Sequence, residues 1–249
     1  MNNWISAVFS PTGGTSKIAT AIAGARMQRR IDLCEPVEPQ NLPTGAPLLA
    51  VVPVYGGRIP AIAAQRLRAL QGQGNPAIAV VVYGNRAYDD ALLELRNILK
   101  ETGHTVIAAA AFIAEHSISR SIAHGRPHAD DLELAVEFGN SVAAKLNNNC
   151  CTEVDVPGNA EYRPLPQMPV VPMVTDSCGG CGMCAGKCPV GAIPRDNPRS
   201  TDATRCILCM RCVAICPRRA RFLPPAAQEA FDARLAAIAS EPKLPELFS

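Results

Sequence analysis

Eight cysteines between residues 178 and 216 carry the strongest chemical signal in the chain. The first group reads Cys178-Gly-Gly-Cys181-Gly-Met-Cys184-Ala-Gly-Lys-Cys188-Pro189, the second Cys206-Ile-Leu-Cys209-Met-Arg-Cys212-Val-Ala-Ile-Cys216-Pro217. Both follow C-x2-C-x2-C-x3-C-P, and the repeat has a period of 28 residues (206 − 178). Three thiolates two residues apart wrap one face of an iron–sulfur cubane, and the fourth, followed by proline, points away onto another. The spacing therefore assigns Cys178, Cys181, Cys184 and Cys216 to one [4Fe–4S] cluster and Cys206, Cys209, Cys212 and Cys188 to a second. Two structural zinc sites would also use eight cysteines, but zinc ribbons rarely carry a third x2-spaced cysteine and then C-P, twice over. Disulfides suit a small exported protein, and this chain is neither. With every iron thiolate-capped, the clusters are expected to carry electrons and not to catalyse.

The same segment is basic. Residues 178–221 hold Lys187, Arg195, Arg199, Arg205, Arg211, Arg218, Arg219 and Arg221 against Asp196 and Asp202, so 8 − 2 = +6. One reading is compensation for two anionic clusters; the sharper one is that the cations raise the cluster potentials and dock an acidic electron donor. Met168, Met173, Met183 and Met210 flank the cysteines and are expected to pack over the clusters and exclude water.

A second chemical signal opens the chain. The apolar run Trp4–Phe9 leads into Ser10-Pro-Thr12-Gly13-Gly14-Thr15, and a helical pattern follows. This turn is neither G-x-x-x-x-G-K-[ST] nor G-x-G-x-x-G, so a Walker site and the dinucleotide fingerprint are both disfavoured. Hydroxyls and backbone N–H groups at a helix N-terminus suit a terminal phosphate. Pro53-Val54-Tyr55-Gly56 and Tyr83-Gly84-Asn85-Arg-Ala-Tyr88-Asp89 each follow a further apolar run.

The elements that must position these loops are legible as alternating runs. Strands are expected at 4–9, 30–34, 48–52, 77–83 and 105–113, and helices at 14–28, 59–71, 88–102 and 129–146. Nearly continuous apolar strands imply a parallel sheet buried on both faces, in a three-layer doubly wound α/β unit. In such a sheet ligands lie beyond the carboxyl ends of the strands. The chain of 249 residues allows one or two domains and, at 48% hydrophobic, a sizeable core. Four segments are expected: 1–146 (α/β), 147–172 (a proline-rich linker), 173–224 (the cysteine unit) and 225–249 (a helical tail packing on its own chain). Net charge is +2, which gives no reason to expect nucleic acid or membrane partners. No apolar run approaches the roughly 18 residues of a membrane span, and Met-Asn-Asn-Trp has no basic n-region; a cytoplasmic location is the expectation.

Residues 9–15 resemble the FMN-phosphate loop of flavodoxins, [ST]-x-T-G-x-T, and the cysteine unit resembles bacterial two-cluster ferredoxins. Together they resemble the ferredoxin–flavodoxin fusion proteins of anaerobes over nearly the whole chain. The resemblance implies a flavodoxin-like five-stranded parallel sheet of order 2-1-3-4-5, a small α+β two-cluster ferredoxin-like domain, and FMN beside the two [4Fe–4S] clusters. It implies Ser10, Thr12, Gly13, Gly14 and Thr15 around the phosphate. Pro53, Val54, Tyr55 and Gly56 would lie along one edge of the flavin, and Tyr83, Gly84, Asn85, Tyr88 and Asp89 along the other. The sandwiching tryptophan common in flavodoxins is missing, since the sole tryptophan, Trp4, sits in the first strand.

The function expected is an iron–sulfur flavoprotein relaying electrons between clusters and FMN, so joining one-electron to two-electron chemistry. The alternatives are a ferredoxin-dependent FMN reductase of a small organic substrate and an NAD(P)H-dependent flavin or quinone reductase. Partners are accordingly a soluble redox protein of the ferredoxin kind or a small molecule, and a homodimer is compatible. His116, after the fifth strand, is the candidate proton donor. Cys34 reads as a core or rim thiol, and Cys150-Cys151 as linker residues.

Overall fold

The computed structural model describes residues 3–165 and 169–249, so Met168 lies outside the described residues. The order begins β1 (Trp4–Val8), α1 (Gly14–Ala23), β2 (Met27–Asp32), β3 (Gln40–Asn41), β4 (Leu48–Pro53), α2 (Ala61–Leu67), β5 (Leu70–Gln71) and β6 (Asn75–Tyr83). It continues α3 (Ala91–Glu101), β7 (His104–Ile113), α4 (Ala129–Asn147), β8 (Met173–Val174), α5 (Met183–Gly186), α6 (Arg211–Ala214), β9 (Arg221–Phe222), α7 (Pro225–Ala239) and β10 (Glu246–Phe248).

The main sheet runs β10-β7-β6-β4-β1-β2. Its five inner and left-hand strands, β2-β1-β4-β6-β7, are parallel and in the flavodoxin-like order. Alternate residues divide between two cores. Ile5, Ala7, Leu48, Ala50, Val52, Ala79 and Val81 face α2 and α3, while Trp4, Val8, Leu49, Val51, Ile78 and Val80 face α1 and α4. Apolar residues on both faces are what a doubly covered parallel strand requires. Helices α1 and α4 cross closely at Gly139, where a Cβ would stand 2.1 Å from the Ile22 carbonyl oxygen.

The structure corrects the sequence expectations in three places. The second strand is Met27–Asp32, not 30–34, because α1 stops at Gly24, whose φ is +51°; β2 is an edge strand with Gln28, Arg29 and Arg30 exposed, so it lacks the apolar run of the others. The sheet has six strands, not five: β10 pairs antiparallel with β7, Leu247 opposite Ala110. The tail beyond 225 is thus a helix followed by a strand that returns to the α/β unit.

Residues 150–163 lie along the α/β unit. Val154 N–H donates to the Val106 carbonyl, Arg96 pairs with Asp155 at 3.0 Å, and the Arg58 guanidinium lies 4.5 Å over the Tyr162 ring. The cysteine unit that follows is closed by the antiparallel pair β8–β9. Among the described residues no helix is long and apolar enough to cross a membrane.

Asn85 fastens the tail. Its Nδ2 donates to the carbonyls of Ala239 at 2.7 Å and Glu241 at 2.9 Å, and its Oδ1 accepts from Lys243 N–H at 3.1 Å. It is 3% exposed with φ +64°, a conformation that asparagine and glycine tolerate best. Asn85→Gly keeps that backbone and removes all three bonds. The expected outcome in a denaturant melt is a loss of about 1–3 kcal/mol, with faster proteolytic cleavage after residue 239. Unchanged stability and cleavage would show that β10 alone holds the tail.

Candidate functional site

The two cysteine groups line two separate cavities. Cys178, Cys181, Cys184 and Cys216 surround one of about 100 Å³, together with Pro198, Arg218 and Arg221. Cys188, Cys206, Cys209 and Cys212 surround one of about 20 Å³, walled by Ile193, Ile207, Leu208 and Met210. Each group of four thiols lines its own cavity, as one [4Fe–4S] cluster per group would require.

The internal repeat is visible in the backbone. Helices α5 and α6 start 28 residues apart (211 − 183). Ala192 N–H donates to Cys188 Sγ at 3.2 Å and Ala220 N–H to Cys216 Sγ at 3.3 Å, the same bond in both halves. Three pairs of residues 28 apart have positive φ: Gly180 and Leu208, Gly182 and Met210, Gly191 and Arg219. The first half meets this left-handed requirement with glycine, which has no Cβ to strain. The second half uses larger side chains at a cost of about 1–2 kcal/mol per residue. Leu208 and Met210 are 7% and 6% exposed and pack with Leu223, Ile118, Val170 and Phe231. Burial of two large apolar side chains offsets the strain. Aligning the two halves of the sequence position by position would have revealed this asymmetry.

The consequence is one open group of cysteines and one enclosed group. Cys181 is exposed, whereas Cys209 is buried. Burial pushes the Cys209 thiol up to about 12 and that of Cys212 up to about 11. At Cys216 burial is outweighed by N–H donors from Ala220, Arg218 and Arg221, and the thiol falls below its ordinary value. Arg221, 3% exposed, lowers Cys206, Cys212 and Cys216 alike. It is the cation common to both groups, held by the Thr201 hydroxyl at 2.9 Å and the Pro198 and Ser200 carbonyls. A coordinated iron takes the place of the thiol proton, so a water-poor site favours metal-bound sulfur over the free thiolate.

The enclosed group sits against the α/β unit. Arg66 donates to the carbonyls of Leu33 at 2.8 Å and Pro189 at 2.7 Å, bridging the two units. Lys187 pairs with Glu35 at 2.9 Å, and Ile207 packs on the α/β core. The Tyr55 phenol is pushed well up by burial and then by the charges of Cys209 and Cys34. Cys34 is 3% exposed, its thiol raised to about 11 by burial and then by Asp32, and it receives the Ser10 N–H. Nothing in the sequence spacing announced Arg66 or Glu35 as bridging residues.

The Ser10–Thr15 loop keeps donors free. Ser10 Oγ accepts from Ser16 N–H at 2.9 Å, leaving the Ser10 O–H to donate outward. Among the described residues no acceptor meets the N–H groups of Gly14 and Thr15, as befits the first turn of a helix. Gly13 has φ +100°, and a Cβ on Gly14 would stand 2.9 Å from the Ala114 Cβ. Hydroxyls, free N–H groups and glycine in one turn are compatible with a phosphate monoester. Tyr55–Arg58 forms a tight turn through Gly56 and Gly57, closed by Arg58 N–H to Tyr55 O and the reverse.

The loop after β6 is partly committed elsewhere. Asn85 and Tyr88, expected along a flavin edge, also hold the tail: the Tyr88 hydroxyl donates to Glu246 at 2.7 Å. Asp89 pairs with Arg86 and Arg163. Tyr83 is buried and stacks edge-on with Tyr88, and Gly84 lies directly under His116, whose Cδ2 is 2.3 Å from where a Cβ would be.

His116 is held as a neutral imidazole. Its Nδ1 accepts from Ile118 N–H at 3.3 Å and Ser119 N–H at 3.1 Å, so the ring proton resides on Nε2. Burial lowers it from 6.5 to about 4, against a small opposing pull from Asp232 on α7.

Over residues 177–221 the sequence matches the family described as 4Fe-4S dicluster domain. No curated protein matches the chain. Similar solved structures include a flavodoxin from the domain Archaea, at 16% identity over 57% of this chain and 98% of that one, TM-score 0.38. Another is a short-chain flavodoxin associated with a non-canonical PDU bacterial microcompartment, at 12% identity over 57% of this chain and 97% of that one, TM-score 0.42.

The lowered His116 carries a pH consequence. The unfolded chain binds this proton near pH 6.5 and the folded chain only near pH 4, so the associated stability is complete above pH 6.5 and lost as pH falls toward 4. His116→Asn places an acceptor where Nδ1 stands. Denaturant melts at pH 7 and pH 4 should show the variant losing on the order of 2–3 kcal/mol less over that interval than the parent. Equal losses would place the acid sensitivity in other groups, the buried His104 first among them.

Proposed function

We propose that the chain is an iron–sulfur flavoprotein that passes electrons between two [4Fe–4S] clusters and FMN. The observation that carries this reading is the seat of the enclosed cysteine group: Arg66 ties the Pro189 carbonyl, next to Cys188, to the Leu33 carbonyl just beyond β2, and Ile207 packs on the α/β core, so the group sits at the carboxyl edge of the parallel sheet. That edge is where a doubly wound sheet receives its ligand. When bound, FMN supplies the exchange between one-electron and two-electron chemistry.

The chain's own residues have separate tasks. Ser10, Thr12 and Thr15 hydroxyls with the Gly14 and Thr15 N–H groups bind the phosphate. Tyr55 and the Gly56 turn line the flavin on the side nearer Cys209. Gly84 and His116 occupy the loops after β6 and β7, with the Nε2 proton of His116 as a side-chain donor there. Leu208, Met210 and Ile193 keep water from the enclosed cluster, and Arg221 offsets its charge together with that of the open one.

Electron transfer is favoured over reduction of a small substrate by what covers residues 118–122. Gln228 of α7 donates to the Ile118 carbonyl at 3.0 Å. Leu235 and Ala239 pack on Ile122. A helix therefore lies over the loop that would otherwise wall a substrate pocket.

Anaerobic reconstitution should give about eight irons and one FMN per chain. Cys181→Ser and Cys209→Ser should each reduce iron to about four while leaving flavin in place. Gly14→Leu, whose side chain must displace Ala114, should lose flavin and keep iron. Full iron with no flavin in the parent chain would remove FMN from the reading.

A further inference from the structure

We propose that the glycine-lined face over Cys178, Cys181 and Cys184 is the docking surface for an acidic one-electron redox protein. This rests on the relay reading above and adds a polarity to it: the enclosed group serves the flavin and the open group serves the partner.

Three observations converge on this face. The first is its bareness. Among the described residues, a Cβ at Gly180, Gly182 or Gly186 would meet nothing within 4 Å. The second half of the repeat has Leu208 and Met210 at the positions matching Gly180 and Gly182, both buried. The fold thus tolerates covering side chains at these backbone angles, and covers one group while leaving the other open. Among the eight candidate ligands, Cys181 is the one that is exposed.

The second observation is charge. Arg218 lies over Gly179, with a Cβ there 2.9 Å from its guanidinium carbon, and donates to the Ser177 carbonyl at 3.5 Å. Arg219 is exposed with no side-chain partner among the described residues. Arg199 reaches the Cys178 carbonyl at 3.5 Å and faces one carboxylate, Asp176, at 3.0 Å. Arg199 and Arg218 border this face, and Arg219, next in sequence to Arg218, adds a third cation near it.

The third is an apolar centre: Met183, between Cys181 and Cys184, is 46% exposed. An apolar centre within a charged rim is the anatomy of a transient protein interface. A basic rim attracts any polyanion, but only a redox partner makes use of a cluster edge left without cover. The partner gives or takes a single electron across this face; no bond forms or breaks and no proton moves.

The test uses the iron- and flavin-loaded full chain and an acidic bacterial-type [4Fe–4S] ferredoxin as probe. Binding of the oxidised probe is measured by calorimetry, and reduction by the reduced probe in stopped flow. Both should weaken by about tenfold or more between about 20 and about 300 mM salt. Arg219→Glu should weaken both severalfold at low salt and flatten the salt dependence. Gly180→Leu, which copies Leu208, should slow the probe by about tenfold, with iron content and reduction by a small cationic mediator unchanged. Salt-independent binding, or parental behaviour of both variants, would overturn the docking surface. So would tighter binding to anionic phospholipid vesicles than to the ferredoxin. A parent chain whose clusters the mediator cannot reduce would instead sink the relay reading itself.

Discussion

Cys209 lies where the cysteine unit meets the α/β unit, and shielding it from water takes walls from both. Its own half of the repeat supplies Ile207, Leu208 and Met210, and Ile207 in turn packs on the α/β core. Once that contact is required, other features follow. Arg66 must reach across to the Pro189 carbonyl, because the backbone after Cys188 is turned into the junction. Arg221 is internal, where its charge lowers thiols of both groups. Left-handed leucine and methionine become tolerable because the burial they bring exceeds their backbone strain.

The two halves of the repeat show how one local geometry serves two environments. A C-x2-C-x2-C turn needs positive φ at two intervening positions whatever surrounds it. Glycine satisfies that need and leaves the sulfurs uncovered; larger residues satisfy it under strain and cover them. The difference between an open and an enclosed metal group thus resides in two side chains per half, not in the ligands, which are identical.

Much of this was legible beforehand. The inner strands are apolar on both faces, which implied a buried parallel sheet, and the resemblance to flavodoxins implied its order. The cysteine grouping followed from spacing, because the fourth ligand's direction is a property of the C-P turn. What escaped was set by tertiary contact. The second strand is an edge, so its exposed arginines hide the period. Glu246–Phe248 is too short to register as a strand and exists because β7 offers unpaired backbone. Asn85 and Tyr88 sit where a ligand edge was expected, yet no local pattern could show that residues 239–246 would return to them.

That return gives the chain an unusual topology. The cysteine unit leaves the α/β unit after α4 and is followed by a helix and strand that rejoin the same sheet, so it is rooted at both ends, like an inserted domain. A module on a single linker samples many separations from its neighbour, and its local concentration depends on linker length. A doubly rooted module has that freedom removed. Traffic between its interior and the sheet edge then becomes a fixed-distance event, set when the fold forms, and any diffusive search is confined to the outer face.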